Sequence, residues 1–459
     1  MKTTISKIVQ AQRNFFLTQD TKDLTFRREA LERLQKEIIE REDAICDAIY
    51  ADFKKPHFET LATETQFVLA ELKLVLKKLN SWARPKSVSS SWLNFPSTDK
   101  IYKEPFGTIL IIAPWNYPFQ LALLPLVGAV AAGNTVVIKP SEVTPNTSKI
   151  IQNIITAVFA KEHVAVIEGG VEASQELLKE SWDYIFFTGS TRVGQIVYES
   201  AAKHLTPVTL ELGGKNPCIV DETISLDIAA KRICWGKFLN AGQTCIAPDY
   251  ILVHTSVKEA FIQSLIKMIK AAYGENIKNS SDYARTVSAA HFNNLKDMLV
   301  GESILFGGET DSKDNYVSIT LVDEPHLDSK LMYGEIFGPI LPILSYETED
   351  DIHRVVNKYG KPLATYVFSN NKTFQNKIIQ KYSFGGGAIN DTVIQVANKK
   401  LPFGGVGGSG IGAYHGKTTF ELFSHHKPIV HRATWLDVPF RYPPYSLPIK
   451  FAKKLKNLL

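Results

Sequence analysis

The stretch FLNAGQTCIAPDYILV, residues 238–253, places one thiol, Cys245, after a polar run of small residues and before a proline and an apolar segment. A thiol attacks only as its thiolate, and an unperturbed cysteine has a pKa of about 8.5. Chemistry at Cys245 therefore needs a helix N-terminus or a nearby base; a buried packing role is the alternative. Glu211 of ELGGKNP, residues 211–217, is a candidate base, at the end of an apolar strand pattern and before two glycines that admit close approach. A solvated turn glutamate fits the same residues. KPSE, residues 139–142, sets Lys139 at a strand end and Glu142 three residues on, after a turn imposed by Pro140. A carboxylate there can accept from ribose hydroxyls while the ammonium donates. A capping acid and a solvated lysine explain the pattern equally well. FFTGSTRVG, residues 186–194, reads as a strand, a glycine turn and a helix start, whose free amides suit a phosphate. It is not GxGxxG, so the standard dinucleotide fingerprint is absent.

Regular elements must bring these residues to one place. TILIIA (108–113), TVVIKP (135–140), VAVIEGG (164–170) and YIFFTGS (184–190) read as buried strands, alternating with helix patterns at 118–132 and 146–160. Short apolar strands alternating with helices imply a parallel sheet covered on both faces. Lys139, Gly169 and Gly189 then fall on one edge, where such sheets bind ligands. A second series begins after PVTLELGGKNPCIVDE (207–222) and runs through helices at 228–242 and 257–274. Its strands are YILVHTS (250–256), ILFGGE, TYVFSN (365–370) and AIN (388–390). IAPDYILV is expected to be the strand that fixes Cys245, and the flexible-looking NAG before it (240–242) the point of substrate entry. LPFGGVGGSGIG (401–412) reads as a tight loop against other backbone. Residues 4–80 read as two or three amphipathic surface helices, and 85–104 as a connector or an exposed hairpin.

A chain of 459 residues exceeds what one core usually supports, so two or three domains are expected. Apolar residues at 44% and charged residues at 22% argue against extensive disorder. The net charge of +5 is too small and too dispersed to point to nucleic acid. Cys46, Cys218, Cys234 and Cys245 are scattered, without metal-ligand spacing, which points away from a metal site and toward a reducing compartment. The other three cysteines sit inside apolar patterns and read as packing residues. The N-terminus lacks a signal-peptide run, so a cytoplasmic location is expected. Residues 105–138 carry no charge, yet Pro114, Pro118 and Pro125 interrupt them, which favours a buried strand–helix–strand over a membrane span.

Seven motifs then occur in order: APWNYP (113–118), KPSEVTP (139–145), FTGSTRVG (187–194), LELGGKNP (210–217), GQTC (242–245), EIFGP (335–339) and PFGGVGGSGIG (402–412). Together they resemble the aldehyde dehydrogenase superfamily, over about residues 100 to 430. The N-terminal region, GKFLNAGQTCIAPDY and RYPPYS (441–446) are most similar to its class 3 branch, which includes fatty and aromatic aldehyde dehydrogenases. The resemblance implies an α/β fold with a Rossmann-type cofactor domain (1–81 and 102–209) and an α/β catalytic domain (210–395). Bridging or oligomerisation elements would comprise a small hairpin at 82–101 and residues 396–430, with a tail at 431–459. It implies Cys245 as nucleophile, Asn116 and the Cys245 N–H as oxyanion donors, and Glu211 as general base. Lys139 and Glu142 match adenosine-ribose contacts, and Thr188, Gly189 and Gly194 the pyrophosphate turn. Glu335 matches a nicotinamide-ribose contact, with Phe337 beside it, and Lys237 matches another class 3 position. Tyr117 and Trp235 are expected near the substrate.

The implied reaction is oxidation of an apolar aldehyde, medium- or long-chain or aromatic, to its acid through a thiohemiacetal and a thioester. NAD is the expected cofactor, with NADP also accepted, because Glu142 repels a 2′-phosphate. Two rivals share the fold: transfer of the thioester to coenzyme A or its reductive use, and a non-catalytic structural homologue. Glu211 argues against the first, and retention of Asn116, Glu211, Cys245 and Glu335 against the second. The class resembles homodimers. In the tail, Ile449, Ala452, Leu455 and Leu459 recur at helical spacing among Lys450, Lys453, Lys454 and Lys456. That pattern suits peripheral contact with anionic lipid, or a solvated or dimer-packed tail.

Overall fold

The uncharged run 105–138 folds as a strand, Thr108–Ile112, a helix, Gln120–Ala132, and a strand, Thr135–Lys139. Every residue of that helix is buried, including Pro125, and both strands are fully covered. A segment enclosed on all sides has no amphipathic face, which is why it mimics a membrane span in sequence. Among the described residues, no helix is long and apolar enough to cross a membrane. The computed structural model describes residues 2–437, 439–445 and 448–455.

Two sheets organise the larger of two compact units, formed by Met1–Trp82 and Pro105–Ser424. The first has six strands in the order Gly410–Ile411, Val208–Glu211, Tyr184–Thr188, Thr108–Ile112, Thr135–Lys139 and Val164–Val166. Only Gly410–Ile411 runs antiparallel to its neighbour. The second has seven, in the order Ile304–Phe306, Thr320–Asp323, Ile340–Tyr346, Tyr250–His254, Pro217–Val220, Ala364–Phe368 and Gly386–Ile389. Here Ile304–Phe306 is the antiparallel member.

The N-terminal segment forms Lys2–Leu17, Leu24–Glu40, Glu42–Phe53 and a helix from His57 that continues through a π-turn, Leu61–Thr65, into Gln66–Ala83. Ile5, Ile8 and Val9, at helical spacing, pack with Leu110 and Val137 of the first sheet. These are not simply surface helices: Arg27, Lys55, Glu64 and Glu71 are buried. Alternation of charge along a helix does not reveal which charges find partners inside.

The smaller unit comprises Ala83–Glu104 and the described residues after Ser424. It holds a three-stranded sheet in the order Lys86–Val88, Ser97–Pro105 and Ser424–Arg432, so the hairpin reading of 85–104 holds. The expected bridging range 396–430 divides differently, since residues 396–424 belong to the larger unit. The reason is pairing: Gly410 and Ile411 sit opposite Glu211 and Leu210. The tail contains a helix, Ile449–Leu455, with Ile449 and Phe451 exposed. Lys456 and Leu459 of the tail pattern lie outside the described residues.

Candidate active site

Parallel register sets the first layer of the site. Thr188 pairs with Glu211, and Lys139 with Ile112, so all lie at the carboxyl edge of the six-stranded sheet. Beyond that edge is a cavity of about 500 Å³. Thr188, Gly189, Glu335 and Phe337 line it together with Asn116, Glu211 and Cys245, and so do Tyr117 and Trp235. Lys139, Glu142, Gly194 and Lys237 do not line it. Lys139 and Glu142 pair with each other instead. Cys46, Cys218 and Cys234 are buried packing residues, and Cys245 alone is half-buried.

The loop before Cys245 overturns the expectation for NAG. Asn240 and Ala241 are buried, with φ of 56° and 51°. The Asn240 amide donates to the Asn116 carbonyl at 2.8 Å and to the Gln243 carbonyl at 3.2 Å. Gln243 Nε2 donates to the carbonyls of Asn240 and Arg285, each at 3.0 Å, and its Oε1 accepts from Val287 N at 3.0 Å. Gly242 has φ of 75°, and a Cβ there would overlap the Gly338 carbonyl. This loop is a locked support, not an entry. The strand expected from 246 begins only at Tyr250. What fixes Cys245 is Asn216, whose Nδ2 donates to the Cys245 carbonyl at 2.8 Å and to that of Ala247 at 3.0 Å.

LELGGKNP also positions Glu335. Lys215 Nζ donates to Asp249 at 2.7 Å and to the Gly334 carbonyl at 2.8 Å, while Asp249 accepts from Ile336 N at 3.0 Å. A Cβ at Gly213 would overlap the Glu335 carboxyl, so any larger residue there would displace that carboxyl from its present place. Phe337 is held by contacts absent from the sequence reading. His291 Nε2 lies 2.8 Å from its carbonyl, and Trp115 packs edge-on to its ring at 5.2 Å. Trp115 could have been found from APWNYP, whereas nothing local marks His291.

Burial dominates the electrostatics. It pushes the Cys245 thiol far up, and the Glu335 and Glu211 charges push it further. Glu211 is held well above the usual carboxylate range by burial, and neither of its oxygens has a hydrogen-bond partner. Glu335 is pushed up to about 8 by burial and Asp249, against the Gly214 N–H and the charges of Lys215 and Lys237. Lys237 is pushed down to about 8, mainly by burial. At rest the site therefore favours protonated thiol and carboxyl groups.

A thiol, an amide donor and two carboxyls facing one cavity at a sheet edge suit covalent work on a carbonyl carbon. The aldehyde dehydrogenase family model matches residues 1–429. The chain belongs to the aldehyde dehydrogenase family. A solved structure described as the substrate-bound state of Staphylococcus aureus AldH is similar to it, with TM-score 0.97 and 47% identity over 98% of this chain and 99% of that one. Aldehyde dehydrogenase family 3 member A2 of Pongo abelii is 44% identical, over 95% of this chain and 91% of its own. Aldehyde dehydrogenase, dimeric NADP-preferring, of Canis lupus familiaris is 42% identical, over 96% and 98% respectively. The class 3 resemblance read from the sequence is thus borne out.

This aldehyde dehydrogenase is an enzyme that depends on a nicotinamide cofactor, and its residues fit one. Thr188 Oγ1 is buried without a partner, and the helix Thr191–Ala202 begins beside it, capped by Ser190. Substituting Gly242 by alanine should lower kcat by about 10- to 100-fold, because a small displacement of Cys245 disturbs reacting geometry. Steady-state kinetics with far-UV circular dichroism checks this; an unchanged kcat in folded protein contradicts it.

Proposed function

We propose that the protein oxidises apolar aldehydes, medium- or long-chain or aromatic, to carboxylic acids, with Cys245 as the nucleophile. The observation that carries this reading is the half-buried thiol facing a cavity shared with Asn116, Glu211 and Glu335. Phe67, Leu121, Leu239, Ile394 and Phe403 line the same cavity beside Tyr117 and Trp235, which suits an apolar substrate body.

The chain's own groups act as follows. The Cys245 proton must leave to solvent before attack. The thiolate adds to the aldehyde carbon, and the resulting oxyanion is met by the Asn116 amide and the Cys245 N–H. One hydrogen of Asn116 Nδ2 goes to the Gln243 carbonyl at 3.0 Å, which orients the amide and leaves the other hydrogen for the oxyanion. A bound nicotinamide supplies the hydride acceptor. Glu211, acting in its ionised form, then takes a proton from water, which attacks the thioester carbon; the acid departs, the thiolate is restored and Glu211 gives its proton up to solvent. A hydrolytic base in this position speaks against transfer to coenzyme A.

Lys139 and Glu142 are read as adenosine-ribose contacts, Thr188, Gly189 and Gly194 as the pyrophosphate turn, and Glu335 and Phe337 as nicotinamide-side contacts. NAD is preferred over NADP through Glu142, although the Lys139 pair softens that repulsion. The six-stranded sheet serves as the cofactor domain and the seven-stranded sheet as the catalytic domain. The exposed edge strand Lys86–Val88 and exposed Trp92 and Phe95 suit a homodimer contact, and the tail lysines suit peripheral contact with anionic lipid.

NADH or NADPH production from alkanals of increasing chain length and from benzaldehydes tests the activity. Cys245→Ala should abolish it, and Asn116→Ala should lower it about 100- to 1000-fold. Activity surviving Cys245→Ala overturns the mechanism. The pre-steady-state rate should still be rising with pH above about 8.5, the ordinary thiol value, because burial and acidic neighbours hold the thiol proton on. Glu335→Gln removes one negative neighbour, so at saturating cofactor this limb should move to lower pH. A limb that stays or moves upward contradicts the assigned electrostatics.

A further inference from the structure

Lys55 and Glu64 form an ion pair at 2.7 Å with both side chains fully buried. Taking two charges out of water is costly, and apolar replacements of such pairs are often neutral or stabilising. Stability alone therefore gives no reason for them. Their other contacts do. Glu64 Oε2 accepts from Phe119 N at 2.9 Å and from Gln120 N at 3.2 Å, at the start of the buried helix Gln120–Ala132. Lys55 Nζ stands 3.9 Å from the centre of the Tyr117 ring. The pair thus grips residues 117–120, directly after Asn116.

The same segment reaches the loop that carries Cys245. Glu59 Oε2 accepts from Asn240 N at 3.0 Å, and the Asn240 side chain bonds the carbonyls of Asn116 and Gln243. Glu64 lies buried in the π-turn Leu61–Thr65, while Ala62 and Thr63 of that turn line the cavity.

We infer that Lys55 and Glu64 are positioning residues for the oxyanion site, setting the Asn116 loop against the loop that carries Cys245. The inference rests on the reading of Asn116 as an oxyanion donor. Neither residue touches substrate; each acts through Asn116.

A double-mutant cycle on the full-length enzyme tests this, read as the single-turnover rate of NADH formation at saturating NAD and alkanal. Glu64→Gln should slow that rate about 10- to 100-fold, with the NAD dissociation constant and aldehyde KM within about 2-fold of wild type. In an Asn116→Ala background the same substitution should add almost nothing, because the group it positions is gone. A merely structural role would not give this non-additivity. If the two effects multiply, or Glu64→Gln is as fast as wild type, the inference fails. If Asn116→Ala alone is without effect, the oxyanion reading beneath it fails, which is a distinguishable result. Should Glu64→Gln not fold, the cycle is read with Lys55→Met, which keeps both Glu64 amide bonds, against the same outcomes.

Discussion

The buried Lys215–Asp249 ion pair, at 2.7 Å, is the constraint on which the site depends. Its two ends carry different segments. Lys215 also takes the carbonyls of Leu331 and Gly334, while Asp249 takes Ile336 N. Glu335 is held between those contacts, with its carboxyl against Gly213. The next residue, Asn216, completes the arrangement through the Cys245 and Ala247 carbonyls and through Ala364 N at 2.8 Å. Two adjacent side chains of one turn thus set the thiol loop and the second carboxyl together. Removing one partner of such a pair would leave an uncompensated buried charge, typically costing about 3–5 kcal/mol.

That rigidity suits the chemistry because the cavity is hostile to charge. Burial raises the thiol and both carboxyls, which holds each toward its protonated form. A resting thiol is protected from side reactions. In the proposed mechanism, oriented amides would meet the developing oxyanion with little reorganisation, where a dry site makes each donor count for more than in water. Glu211, buried with neither oxygen partnered, has no contact to break before it acts.

Much of this was legible in the sequence, for physical reasons. Parallel strands covered on both faces give unbroken apolar runs such as TILIIA and TVVIKP, and their ends mark a binding edge. Gly189 falls on that edge and Glu211 at a strand end, whereas Thr188 and the nucleophile role of Cys245 come from the motif resemblance, since the thiol alone reads equally as packing. The NAG misreading has an equally physical origin. Small polar residues resemble a mobile loop, yet their order comes from Asn240 and Gln243 bonding partners as distant as Asn116 and Arg285. The charges at Lys55 and Glu64 looked like a helix surface for the same reason. Local periodicity says which residues share a face; it does not say what closes over them. His291 carries no local signal, since its role is defined by a carbonyl 46 residues away.

The central claim is that Cys245 carries the acyl group and Glu211 releases it. Peptide-level mass spectrometry of the Glu211→Gln variant, quenched in acid after mixing with an alkanal and NAD, tests it most directly. The account predicts stoichiometric acylation of the Cys245 peptide, accumulating because hydrolysis has lost its base. A burst of NADH with that peptide unmodified, or with the acyl group on another residue, would contradict it.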